Sequence, residues 1–456
     1  MIDPNRLLKL DWTRRQFLKT SAKMAGGLAA ADLLASCAQP SQGTTTLRFF
    51  RWQSDTLNGE IAAYKKVKPS VTIQVEEVPF GQLYDKLAVI MTSTNPPDIM
   101  GYDAAFTKSY AAVGGLLPLD QWMTPDQKAD IIPSVLAENS YKGHVYSPGF
   151  VDSPVLMFYN KDATDAAGVS PPQALADAWT WEQAKAAFKK VRKGPASNPS
   201  FWGLASSTFG GGIPGFWLRD SQLARSAGDP NASPDSSAYK TFQMLSADGK
   251  SVDGYLNTPE AIEALKLYQS LYSEGLTPKV GTPNQFASGQ AGFELNTIEF
   301  IDVLSGQIGV GGAAANPPAP FKWGVTPLPY VKTPVVFASS VTIGASGKTK
   351  HQAEAAAFLL FVSSKDQSLA DTRHHGTLPP RVSVLQALPE YTTDPQRKIF
   401  VDALQQWGKP PPGTTAFTQY ANLLSGALHD IALGADPRTR MNQAVSDIDQ
   451  ALQQAP

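Results

Sequence analysis

The chain has 456 residues, 17% of them charged, with 39 basic side chains against 40 acidic ones. That balance excludes a general nucleic-acid or polyanion binder. A single cysteine excludes a disulfide framework, and the length suits two or three domains or one two-lobed unit, so stability must rest on apolar cores.

The chain opens on Thr13-Arg14-Arg15-Gln16-Phe17-Leu18-Lys19, a weakly apolar Ala/Gly-rich stretch at 24–33, and Leu34-Ala35-Ser36-Cys37. An arginine pair, a short apolar region and small residues before a processing point are the parts of an export signal. The stretch is too short for a permanent span, and Asp32 interrupts it. The arginine run resembles a twin-arginine signal. Leu34 to Cys37 resembles a bacterial lipobox, whose cysteine is lipidated and becomes the new N-terminus. Residues 1–37 are therefore read as signal, and 38–46 as a polar tether from lipid to body.

Alternating β-branched and polar residues predict a strand over 71–78, and the apolar runs 47–52 and 99–102 predict two more. Helical spacing predicts helices over 60–66, 80–92 and 105–113. Strands over 143–150 and 155–159 follow, then a helix over 161–168. Thr180 is the expected cap of a helix running to about residue 192. Residues 201–215 are a glycine-rich aromatic loop, and 216–227 reads as helix. Thr258 before Pro259 opens a helix that stops at Gly275. A strand at 291–296, strands at 323–328 and 335–343, helices at 350–363 and 367–375, a rigid turn at 378–381, and two closing helices at 418–433 and 441–452 complete the reading. Strands alternating with helices predict an α/β fold.

Several segments resemble one family. These are Pro97-Asp98-Ile99 with Leu116-Leu117-Pro118-Leu119-Asp120; Gly143-His144-Val145-Tyr146-Ser147-Pro148; Val155 to Asp162; Trp179-Thr180-Trp181-Glu182; Phe286 to Phe293; and Gly376-Thr377-Leu378-Pro379-Pro380-Arg381. Their order is similar to that of family 1 extracellular solute-binding proteins of ABC importers, the maltose-binding type, over nearly all the chain after residue 44. The resemblance implies a type II periplasmic-binding-protein-like fold: two α/β lobes, a ligand cleft between them, and hinge closure on binding. It implies no cofactor, no metal and no enzymatic activity. The partners would be a carbohydrate ligand (a disaccharide or oligosaccharide), importer permease subunits, and the membrane through lipid on Cys37. A monomer on the outer face of the cytoplasmic membrane is expected. The lobes expected are 47–151 plus 305–346 and 152–304 plus 347–456, with crossings near 151–154, 302–319 and 346–351.

Sugars present hydroxyl edges and apolar CH faces, so a site needs carboxylates, amides or arginine beside aromatic planes. The candidates are Trp52 and Asp55 after the first strand, Tyr102 and Asp103 after the third, and Asp152 and Ser153 at a crossing. Phe209, Gly211, Gly212 and Trp217 come from the glycine-rich loop, Asn296 and Glu299 from a turn, Ser339 and Ser340 from a strand end, and Arg381 from the rigid turn. The family usually has a Gly-Pro-Trp turn where this chain has Asn296 to Phe300, which leaves its stacking tryptophan open. Trp52 and Trp217 serve either the ligand or a lobe core. Asp103 caps a helix or faces the cleft; Asp152 meets ligand or only hinge backbone; Arg381 meets ligand or pairs with a carboxylate that locks the hinge. Adjacent His374 and His375 point apart on a helix, which disfavours a metal pair. A glycerophosphodiester or another polar solute is the alternative ligand; a phosphate would want Arg or Lys at the site, and only Arg51, Arg219, Arg373 and Arg381 lie near plausible loops, so a sugar is favoured, with an exported glycosidase a more remote alternative.

Overall fold

A computed structural model describes residues 44–54, 56–79, 82–152, 154–206, 223–282, 284–307 and 317–455. Its strands, in chain order, are β1 (Thr45–Trp52), β2 (Val71–Val78), β3 (Ile99–Asp103), β4 (Ser140–Tyr141), β5 (His144–Val145), β6 (Val151–Asp152), β7 (Leu156–Asn160), β8 (Trp202–Leu204), β9 (Ala291–Asn296), β10 (Trp323–Thr326), β11 (Val336–Phe337), β12 (Ser340–Ala345) and β13 (Gly408–Lys409).

The first sheet has the order β2-β1-β3-β12-β6. β1 is parallel to β2 and β3, and β12 is antiparallel to β3 and β6. Parallel neighbours need long crossovers, supplied here by the helices Asn58–Val67 and Leu83–Thr92. The second sheet has the order β10-β7-β9-β8, with β7 antiparallel to both neighbours. β7 and β9 are buried along their whole length, which explains why they read as continuous runs and not as alternation.

Local chemistry sets the helix ends where expected. Thr180 and Gln183 form a reciprocal capping box, with Thr180 N donating to Gln183 Oε1 at 2.8 Å and Gln183 N donating to Thr180 Oγ1 at 3.3 Å. Thr258 Oγ1 accepts from Ala261 N at the start of Pro259–Ser273. The closing helices run Phe417–Leu433 and Pro437–Gln454. The expected strand over 335–343 is two strands, because β11 pairs with β13 in a separate two-stranded sheet and β12 joins the first sheet. The expected strand over 143–150 shrinks to β5.

The lobe boundaries read from sequence need correction. β10 lies inside 305–346, yet it pairs with β7 in the second sheet, Gly324 opposite Tyr159. The helix Gln352–Val362 lies inside 347–456, yet it packs under the first sheet, where the Phe358 ring meets Phe49 at 6.2 Å and Tyr64 at 5.2 Å. Six residues join it to β12, so it stays beside that strand. The chain therefore passes between sheets at β6–β7 and then between β10 and β12, not at 302–319. A third crossing lies beyond the helix Lys365–His375, not at 346–351; the helix Pro395–Trp407 already packs on β10.

Gly376 ends the helix Lys365–His375 with φ +67°, and a Cβ there would stand 1.7 Å from Asp302 Oδ2. The Asp302 carboxylate cannot yield freely, since Arg397 Nη2 holds its other oxygen at 2.6 Å. Gly376→Ala is expected to cost about 2–3 kcal/mol through combined backbone strain and overpacking, read as a lowered unfolding midpoint in urea.

Candidate functional site

In an open α/β sheet the carboxyl ends of the strands face the ligand crevice. Trp52 ends β1, and Asp103 ends the neighbouring β3. The Trp52 ring lies where a side chain on residue 101 would stand: a Cβ built on Gly101 meets Trp52 Cζ3 at 2.7 Å. Residues 101 and 103 share a side of the strand by alternation, so the indole lies on the side to which Asp103 points. Gly101 is thus the space that lets the indole lie flat across β3.

Asp103 precedes the turn Ala104–Phe106, but its side chain makes no capping bond. Its carboxylate instead accepts from the Tyr84 hydroxyl on the helix Leu83–Thr92. Burial pushes the Asp103 carboxyl up to about 6, against the opposing pull of the Tyr84 hydrogen bond. The same burial, reinforced by the carboxylate, pushes the Tyr84 phenol well up. The Tyr84 ring stacks on Phe106 at 4.6 Å, which fixes where its hydroxyl points. Phe106 in turn meets Phe417, the first residue of a helix that packs with the second sheet's helices, edge-on at 5.0 Å. Sequence reading passed over Tyr84 because the apolar stripe of its helix runs through Leu83 and Leu87. An aromatic residue one step off that stripe was the available signal.

In the second sheet, the turn after β9 carries Glu299. Burial pushes its carboxyl up, and Oε2 is enclosed without a hydrogen-bond partner. Asn296 does not join it. It is buried, donating to Glu294 Oε1 at 3.0 Å and accepting from Thr297 N at 2.9 Å, and so holds the turn.

Four other candidates face inward. Tyr102 is fully buried and edge-on to Tyr110, since it points away from the side of β3 that bears Asp103. Ser339 and Ser340 are buried at the second crossing. There Ser339 Oγ donates to Glu138 Oε1, Ser340 N donates to Glu138 Oε2 at 3.0 Å, and Asn139 Nδ2 donates to Ser340 Oγ at 3.1 Å. Their polar groups are spent on Glu138 and Asn139, partners that sequence reading missed. Arg381 is 3% exposed, bonded to the Ser363 carbonyl and to Asp130 Oδ2 at 3.2 Å. It locks the third crossing onto the first lobe.

Asp152 sits at the end of β6 opposite Ser340 in the register. Asp55, Ser153, Phe209, Gly211, Gly212 and Trp217 lie outside the described residues, as do Cys37, Arg219 and most of the expected helix 216–227. Among the described residues no three His, Cys, Asp or Glu side chains gather as a metal group, and no helix is long and apolar enough to cross a membrane.

The described cations near the strand ends are engaged elsewhere. Arg51, next to Trp52, is buried and bonded to the Ser54 and Thr56 carbonyls, to Asn58 Oδ1 at 2.7 Å and to Glu77 Oε1 at 2.7 Å. Arg397 is held by Asp302, and Arg381 by Asp130.

Known proteins share this architecture. A Brucella abortus binding protein is 26% identical over 448 residues, covering 94% of this chain and 98% of that protein. An ABC substrate-binding protein of Listeria monocytogenes, solved in complex with cycloalternan, superposes with a TM-score of 0.73 at 20% identity over 90% of this chain and 99% of its own. A solute-binding protein of Thermotoga lettingae, bound with α-D-tagatose, also gives 0.73, at 18% identity over 90% and 100% of the two chains. The family model described as bacterial extracellular solute-binding protein matches residues 52–368. With that match running from the tryptophan at the end of β1 through both sheets, this chain belongs to the bacterial extracellular solute-binding protein family.

Proposed function

We propose that this protein is a lipid-anchored, monomeric binding protein of the extracytoplasmic space that captures a carbohydrate and hands it to the permease subunits of an ABC importer. The observation that carries the reading is the Trp52 ring lying over Gly101 at the end of β3, on the side to which Asp103 points by alternation, a plane for a sugar CH face on the same side as an acceptor for its hydroxyls. The Listeria and Thermotoga proteins, which share the fold, hold cycloalternan and tagatose. A phosphodiester would want free guanidinium groups; of the four arginines near plausible loops, Arg51 and Arg381 are committed to other partners, Arg373 is exposed, and Arg219 lies outside the described residues.

Thermal unfolding of the protein with mono-, di- and oligosaccharides and with glycerophosphodiesters tests this. A ligand at a hundredfold excess over its dissociation constant adds about 2.7 kcal/mol of stability. A shift with one sugar class, without turnover, supports the reading. A shift with phosphodiesters alone overturns the ligand class, and consumption of a glycoside overturns the binding role. Anchoring is tested separately: Cys37→Ala is expected to move the protein from the membrane to the soluble fraction, and retention on the membrane would refute the lipobox.

A further inference from the structure

Asp103 is a carboxylate without a counter-charge among the described residues. Its hydrogen bond comes from a neutral phenol, Tyr84, and Arg51, next to Trp52, is spent on Glu77, Asn58 and two carbonyls. Lys108, one turn beyond the site on the helix Thr107–Ala112, runs against Gly413, where a Cβ would stand 2.1 Å from its Nζ. The Trp52 indole lies on the side of β3 to which the carboxylate points, and an aromatic face carries the negative end of a quadrupole.

A neutral sugar hydroxyl donates to such a carboxylate but leaves its charge uncancelled by any described group. A protonated amine donates and cancels it, and it also gains from the indole face; both effects grow as water is excluded. We propose that the ligand is a carbohydrate bearing a basic nitrogen, an amino sugar, with its ammonium group seated on Asp103 beside Trp52. This rests on the carbohydrate reading above and narrows it.

Burial is consistent with this assignment, since it holds the empty Asp103 carboxyl at about 6 and an arriving cation would reverse that shift. Tyr84 then acts as a positioning residue, keeping one carboxylate oxygen occupied and the other turned to the ligand.

Calorimetric titration at pH 7 compares glucosamine and its β-1,4-linked disaccharide with glucose, cellobiose and the N-acetylated disaccharide. The amines are expected to bind at least tenfold tighter than their neutral counterparts. In Asp103→Asn, whose fold is checked by circular dichroism, that preference is expected to vanish. Equal or tighter binding of the neutral member of a pair overturns the proposal, as does a preference that survives in Asp103→Asn. Binding of some other neutral sugar, with none of the amines bound, overturns it while leaving the carbohydrate reading intact. If no carbohydrate binds at all, both fall.

Discussion

Asp103→Asn is expected to weaken ligand binding by roughly 10- to 100-fold, the worth of a charge-assisted hydrogen bond, while raising the stability of the empty protein at pH 8. The second half follows from the sign of the shift. The folded carboxyl, raised to about 6, holds its proton where the unfolded one has lost it. Between about pH 4 and pH 6 the native state therefore binds more protons, and stability falls as pH rises through that window. Above it the ionised Asp103 is a standing cost that the asparagine variant does not bear. The groups facing it are Tyr84 and Tyr110, both phenols that burial pushes up and that stay protonated throughout, and Glu299, Asp302 and Glu60, raised elsewhere, titrate alike in both proteins, so the difference between wild type and variant in this window reports Asp103. Melting curves should thus show the variant above wild type at pH 8 and converging with it near pH 4. Wild-type affinity should fall as pH drops from 7 to 5, and that of the variant should stay flat. A variant that melts lower at pH 8, with unchanged affinity, would place Asp103 in the scaffold.

Asp130→Ala is expected to be the most destabilising single change at the hinge, by about 2–4 kcal/mol. Asp130 pairs with buried Arg381 at 3.2 Å and accepts from Ser383 N at 2.9 Å and Ser383 Oγ at 2.8 Å. Its removal strands a guanidinium that is 3% exposed and leaves the start of the helix Val382–Leu385 unheld. Partial burial raises the Asp130 carboxyl, but the Ser383 and Arg381 bonds outweigh it and hold the group below its ordinary value. The sign is therefore opposite to that of Asp103. This contribution is present above the unfolded value near 4 and is lost as pH falls through the lower folded value. Urea titrations at pH 7 and pH 3 check both statements: the wild type and Asp130→Ala should differ widely at the first and converge toward the second. An equal difference at both would mean that packing around residue 130, not its charge, carries the effect.

The two residues also show where the reach of sequence stops. Periodicity and caps are local, so the elements around Thr180 and Thr258, the alternation in β2 and the α/β class could be read from the chain directly. Trp52 and Asp103 could be named too, because residues that close strands in an open sheet face its crevice. The facing of Ser339, Ser340 and Arg381 could not be read, because their partners, Glu138 and Asp130, lie 201, 202 and 251 residues away. Nor could the sheet that β10 joins, since a short strand carries no mark of its partner. The chain by itself determined the class of fold. Tertiary structure decided which polar groups remain for a ligand, because a hydrogen bond already made inside the hinge is not available to the cleft, and only the assembled fold shows which bonds are made.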